Sequence, residues 1–409
     1  MESTLTSAQN LFLQVLGAAI KGEAYGGSIP DAQSLRQVLE LAAQQEVLPM
    51  ICEALYRQPQ AQQQAVLFSR YRKKAVEDVA SQVLREQDFL QLCREAETQG
   101  LTPVVVKGIA LRVLYPHPNH RPSVDEDLLI RPEEAECWDA FLRSRGLQAD
   151  KPEIDVTRED EFSYHREDPP TYIELHKHLI PVGAEAYSEL NELFEGVHIR
   201  LVPLQLGDLS VWTLSPADHL LYLICHALKH FLHSGVGVRQ IADIAVYSQS
   251  FGESIRWDAI LDACRSKHIE TFAAALLQIC HRYLTLDQVP AAFAGIETDG
   301  LGLLKDSLSG GIYGNTDLDR MHSSKLTLEA AAAGKQGRAQ RGIWKSLFPG
   351  KAYLQSNYAY AKAHPILLPV AWGERLVHYG LGKNKENALK SLQIGRERVE
   401  LLRRYKIIP

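Results

Sequence analysis

The chain has 409 residues, 45% of them apolar and 23% charged, with a formal net charge of −6. That length exceeds one ordinary hydrophobic core, so two or three domains are expected, and the composition is that of a soluble globular protein. The acidic balance supplies no global field for a nucleic-acid backbone, so a nucleic-acid partner is not expected.

The N-terminus, Met-Glu-Ser-Thr-Leu-Thr, has neither the basic region nor the apolar run of a signal peptide. Residues 1–100 read as a helical region: 31–57 carries apolar residues at helical spacing, and 62–98 is a long amphipathic stretch stopped at Gly100. From 101 to 181 the pattern turns to mixed α/β, with a strand at 104–107, a short helix at 109–115 and a second strand at 124–130. Arg131-Pro132-Glu133-Glu134 puts Pro at a first helical position and acids in the first turn of a helix ending at Gly146. Segments 162–166 and 172–176 flank Glu167-Asp168-Pro169-Pro170 as a hairpin. Residues 182–295 are expected to return to helix, with Ser215 as N-cap and Pro216 at the first position of a helix reaching about His233. The remainder, 296–409, is expected to hold a flexible connection around 308–340 and a basic amphipathic helix at 385–405. Six scattered cysteines without a Cys-x-x-Cys pair read as reduced thiols of a cytoplasmic protein. The densest late apolar run, 365–372, is far short of the roughly 20 residues of a membrane helix, so no membrane insertion is expected.

The strongest chemical signal is Arg121-Pro-Ser-Val-Asp-Glu-Asp-Leu-Leu-Ile130. Side chains alternate along a strand, so Asp125 and Asp127 project from one face of an apolar strand. Two close carboxylates repel each other in a core. A divalent cation removes that cost, and oxygen ligands with substrate phosphates suit Mg²⁺, with Mn²⁺ as the alternative. Glu174, in Tyr172-Ile-Glu-Leu-His176, is the candidate third acid, since a two-metal phosphoryl transfer needs one more carboxylate as metal ligand or base. His176 and His178 share its face. The alternatives are a solvated edge for the pair and an exposed hairpin charge for Glu174. A second Asp-x-Asp, Asp317-Leu318-Asp319, lies among glycines and reads as a loop without chemistry.

These residues resemble the uncharacterised bacterial nucleotidyltransferase family of the DNA-polymerase-β-like superfamily. The resemblance rests on Lys107-Gly-Ile-Ala-Leu111, Tyr115-Pro-His-Pro118, the acidic strand and Ile173-Glu-Leu-His176. It continues in Leu214-Ser-Pro-Ala-Asp-His-Leu220, His226-Ala-Leu-Lys-His230, Ser309-Gly-Gly-Ile-Tyr-Gly314, Leu347-Phe-Pro-Gly350 and 365–375, spanning roughly residues 100 to 380. It implies an α+β fold, a minimal nucleotidyltransferase mixed sheet at 101–181 flanked by helical N- and C-terminal regions. It further implies Asp125, Asp127 and Glu174 as metal-binding and catalytic acids, and NTP as substrate. The superfamily's strand-to-helix turn is typically Gly-Ser; here Lys107-Gly108-Ile109 stands, and the phosphate-binding hydroxyl is missing. Lys107 is the candidate point charge in its place, against a structural salt bridge, and Gly108 allows close backbone approach. Arg121 is a further candidate phosphate ligand, against a solvated turn.

His219, His226, His230 and His233 fall on one stripe of an otherwise apolar helix. His226 and His230 could ligate a metal, but no His-Glu-x-x-His follows. The stripe is either a packed interface or a cleft wall, and His226 and His230 are the two weighed as nucleotide contacts. Ala333-Gly334-Lys335-Gln336 lacks the frame of a P-loop. The expected activity is transfer of an NMP from an NTP to an unidentified small-molecule or protein acceptor. The alternatives are a non-catalytic NTP- or partner-binding scaffold, or an antitoxin-like protein modifier, on the same fold.

Overall fold

The computed structural model describes residues 4–233, 235–310, 324, 327–332 and 385–409, with side chains of the last stretch from 393 onward. The Asp317/Asp319 loop, most of the expected connection at 308–340, Gly334-Lys335 and the family-like segments near 309–314, 347–350 and 365–375 lie outside the described residues, apart from Ser309 and Gly310. Five helices open the chain: α1 Ser7–Ile20, α2 Ala32–Gln44, α3 Leu48–Leu55, α4 Pro59–Gln63 and α5 Ala65–Thr98. Local chemistry starts the first two. The Thr6 hydroxyl accepts from the Gln9 amide in a capping box, and the Asp31 carboxylate accepts from the Ser34 amide.

A seven-stranded mixed sheet follows, in the order β3-β4-β5-β2-β1-β7-β6. Its strands are β1 Val104–Val105, β2 Glu126–Leu129, β3 Gln148–Ala149, β4 Glu161–Arg166, β5 Thr171–His176, β6 Val202–Leu206 and β7 Leu209–Thr213. β2 runs parallel to β5 and β1 parallel to β7; the other pairs are antiparallel. The fold is α+β, as expected. The expected 162–166/172–176 hairpin is β4–β5. β1 and β2 are shorter than expected, and Asp125 sits just before β2. The expectation of continuous helix after 182 does not hold over 202–213, where β6 and β7 add two strands to the same sheet. Their burial alternates along each strand, and Gly207-Asp208 makes the turn, a period-2 pattern bounded by a turn pair.

The remaining helices are α6 Ile109–Arg112, α7 Ala135–Ser144, α8 Pro216–Leu232, α9 Val238–Phe251, α10 Trp257–Ser266, α11 Glu270–Tyr283, α12 Leu301–Gly310 and a C-terminal helix Lys385–Arg404. Strand alternation separates two cores. Val105, Leu128, Ile173 and Leu175 pack with Phe89 of α5 and Trp138 of α7. Val104, Val106 and Leu129 join the helical core of α8, α9 and α11. Arg398 of the C-terminal helix donates to the backbone oxygens of Phe231 and His233, satisfying carbonyls at the end of α8. No helix among the described residues is long and apolar enough to cross a membrane.

One buried polar knot holds the strand-turn-helix unit that carries the acids. Glu126, between the two aspartates, points into the other core. Its Oε2 accepts from the Ile109 amide at 2.7 Å and its Oε1 from Arg112 Nη1 at 2.6 Å. Gly108 makes the turn at φ +57, where side chains are rarely tolerated, and a Cβ there would meet Glu126 Oε2 at 1.9 Å.

Gly108→Ala is therefore expected to cost more than the roughly 1–3 kcal/mol of backbone strain alone, read as a lower urea midpoint; an unchanged midpoint contradicts this account. A second expectation concerns acid. His219 is 1% exposed, and burial pushes its imidazole down to about 4. The folded state keeps it neutral while the unfolded chain protonates it near 6.5, so this contribution is complete above pH 6.5 and is lost as pH falls toward 4. Its size is on the order of 3 kcal/mol. Thermal midpoints of His219→Gln between pH 7 and 4.5 should fall less steeply than those of the unaltered chain; equal slopes argue against it.

Candidate active site

The acids meet because two parallel strands are in register. Asp127 of β2 pairs with Glu174 of β5, and Leu129 pairs with His176, so Asp127, Glu174 and His176 share the face turned toward α8. Ligand atoms of these three residues all lie within 4.8 Å of one another. Asp127 is 1% exposed, Glu174 and Asp125 are half-buried, and Asp125 opens with Asp127 onto the same cleft.

Charge in this cluster is compensated in layers. Lys107 Nζ sits 2.7 Å from Asp127 Oδ1, and His176 Nε2 donates to the same oxygen at 2.9 Å while lying 3.3 Å from Glu174 Oε2. The other ring nitrogen of His176 is 3.5 Å from Glu161 Oε2, which also faces Lys229 Nζ at 3.5 Å. Burial alone would raise the Asp127 carboxyl, but Lys107 and His176 hold it well below the usual carboxylate range. Glu174 lacks a lysine: burial pushes it up to about 7, with the charge of Asp127 adding to the effect and the His176 hydrogen bond opposing it. Burial works against the charged form of His176 as well, yet hydrogen bonds to Asp127, Glu161 and Glu174 hold it well above its ordinary value.

The histidine stripe divides. His226 Nε2 is 3.1 Å from Lys107 Nζ and 3.1 Å from His230 Nε2, so these two rings reach the acids through one lysine. Burial, then the neighbouring Lys107, pushes both imidazoles well below their ordinary range. His219 instead packs on Tyr247 with ring centroids 4.7 Å apart, and His233 meets the Tyr187 hydroxyl at 2.8 Å. Arg121 turns inward: its guanidinium makes two hydrogen bonds to Asp243 of α9, at 2.9 and 2.6 Å, while still lining the cleft. Lys107 is engaged in the Asp127 ion pair. Gly108 borders the cleft at the head of α6.

Two groups escaped the sequence reading. Glu126 and Arg112 carry no periodic signal that distinguishes an inward acid from its outward neighbours. Arg239 and Asp243 lie on α9, where a 14-residue apolar helix conceals one polar face. Spacing could have found that face, since 239 and 243 are one turn apart.

The donor set fits a divalent ion. Two carboxylates and the His176 ring converge, the ring serving as a ligand only once it has given up its proton. In comparisons with known proteins, no curated protein and no solved structure matches this chain. A family model described as an uncharacterised nucleotidyltransferase matches residues 31–285, beginning in the N-terminal helices and ending at α11. The match covers more than half of the chain, which therefore belongs to the uncharacterised nucleotidyltransferase family.

Proposed function

We propose that the chain moves a nucleoside monophosphate from an NTP to an acceptor hydroxyl or phosphate, with release of pyrophosphate, on a polymerase-β-like core. The observation that carries this reading is the register of Asp127 with Glu174, with Asp125 at the mouth of the same cleft. Asp125, Asp127 and Glu174 would hold Mg²⁺, or Mn²⁺, which when bound supplies charge neutralisation for the phosphates and polarisation at the α-phosphate.

The acceptor oxygen attacks the α-phosphorus in line. The new phosphorus–oxygen bond forms as the bond to the α,β-bridging oxygen breaks, and pyrophosphate leaves with that electron pair. Glu174, in register with Asp127, is placed to take the proton of an acceptor hydroxyl. Lys107, freed from full duty on Asp127 when the ion is present, offers its ammonium to the phosphates. His226 and His230 form the neutral wall behind it. The acidic net charge favours a small molecule or a protein as acceptor over nucleic acid. Six unpaired cysteines support a cytoplasmic setting.

A second reading, an NTP-binding scaffold without turnover, draws on the Lys107–Asp127–His176 contacts, which satisfy the acid without a metal. Calorimetry with ATP in Mg²⁺ and in EDTA, alongside pyrophosphate release in cell extract supplied with NTPs, separates the two. Asp127→Asn and Glu174→Gln are each expected to lower pyrophosphate release by on the order of 100-fold, while circular dichroism stays unchanged. Binding indifferent to Mg²⁺, or undiminished turnover in both variants, defeats the transfer reading.

A further inference from the structure

In this chain two amides of the turn after β1 are already committed within the fold. The Ile109 amide is committed to Glu126 Oε2 at 2.7 Å, the Ala110 amide to the Lys107 carbonyl, and Ile109 brings no hydroxyl. The opposite wall of the cleft is built otherwise. A narrow cleft of about 30 Å³, open to solvent, lies between the acids and the first turns of α9, and Arg239, Gln240 and Asp243 line it together with Asp125, Asp127 and Arg121.

Arg239 is 3% exposed. One nitrogen, Nη1, donates to the Pro122 carbonyl at 2.6 Å and to Glu46 Oε2 at 2.8 Å. Its Nε is buried without a hydrogen-bond partner among the described residues, an unusual and costly state for a guanidinium donor. One turn along the same face, Asp243 holds Arg121 through two hydrogen bonds and takes a third from the Tyr115 hydroxyl at 2.8 Å. Both arginines are thus tied to the loop 121–125 that ends in Asp125. Asp243 pairs with Arg121 in the interior, whereas the Glu46 partner of Arg239 is two-fifths exposed, so water screens that pair more. Arg239 is therefore the less fully neutralised of the two arginines. The N-terminal end of α9, behind Gly237, adds its partial positive charge.

Resting on the nucleotidyl-transfer reading, we propose that Arg239, with Arg121 positioned beside it by Asp243, grips the β- and γ-phosphates of the NTP at the first turn of α9. This wall replaces the hydroxyl-bearing turn of the sheet. A guanidinium suits the task because its planar fork matches phosphate oxygens. The same contact faces the pyrophosphate as its charge develops, and the shared 121–125 loop keeps the phosphates and the acids in one frame.

Calorimetry on the full chain with ATP, AMP and inorganic tripolyphosphate, each with Mg²⁺, tests this. Arg239→Gln is expected to weaken ATP and tripolyphosphate at least about tenfold and to leave AMP unchanged, the loss of one charged hydrogen-bonding partner. Gln240→Glu serves where Arg239→Gln fails to fold. The Gln240 side-chain oxygen accepts from the Gly237 amide at 2.9 Å, so a carboxylate preserves the helix start while adding negative charge to the wall. It should produce the same selective loss. ATP and tripolyphosphate affinities that survive in folded variants, or an equal loss for AMP, overturn the proposal while Mg²⁺-dependent ATP binding leaves the transfer reading standing. A wild-type chain that binds none of the three in Mg²⁺ overturns both.

Discussion

A carboxylate buried between two others governs this molecule. Glu126 is 5% exposed, and burial raises its carboxyl despite Arg112 and the Ile109 amide. Losing either partner would leave an uncompensated charge or donor in the core, a situation that costs several kcal/mol in folded proteins. The pairing therefore allows only one arrangement of β2, in which Glu126 faces α5 and α7. Alternation then forces Asp125 and Asp127 to the other face. The two aspartates face the cleft because their neighbour cannot leave the core.

On that other face the structure spends positive charge to keep negative charge close. Lys107 and His176 both lean on Asp127, while Glu174 receives only a share of His176. The result is two carboxyls in register with opposite tendencies, one held ionised and one pushed toward protonation. Burial and charged neighbours alone set these opposite tendencies in two side chains of the same chemistry.

Much of this was legible in the residues, for physical reasons that differ from place to place. Asp125 and Asp127 stood out because charges inside an apolar strand need an explanation, and Ser215-Pro216 because capping is local chemistry. The β4–β5 hairpin followed from its turn residues. β6 and β7 were hidden by the helical chain around them, although Val202 to Thr213 alternates cleanly once sought. His176 appeared only as a neighbour of Glu174, since register decides whether it meets Asp127 and register is a property of two strands. The pairing of Arg121 with Asp243 and of Arg239 with Pro122 joins positions 117 to 122 residues apart, beyond any local pattern.

The passage from β7 to α8 has a geometric consequence. β7 lies parallel to β1, and the Thr213 hydroxyl donates to the Val105 carbonyl at 2.6 Å. Only Leu214 and Ser215 separate that anchor from the first residue of α8. The sheet thus sets the rotational phase of α8 as a keyway sets a shaft. Each residue advances a helix by about 100°, so lengthening or shortening this link by one would swing His226 and His230 a quarter-turn or more away from Lys107. The edge hairpin, which carries none of Asp125, Asp127 and Glu174, is what aims the helix at Lys107.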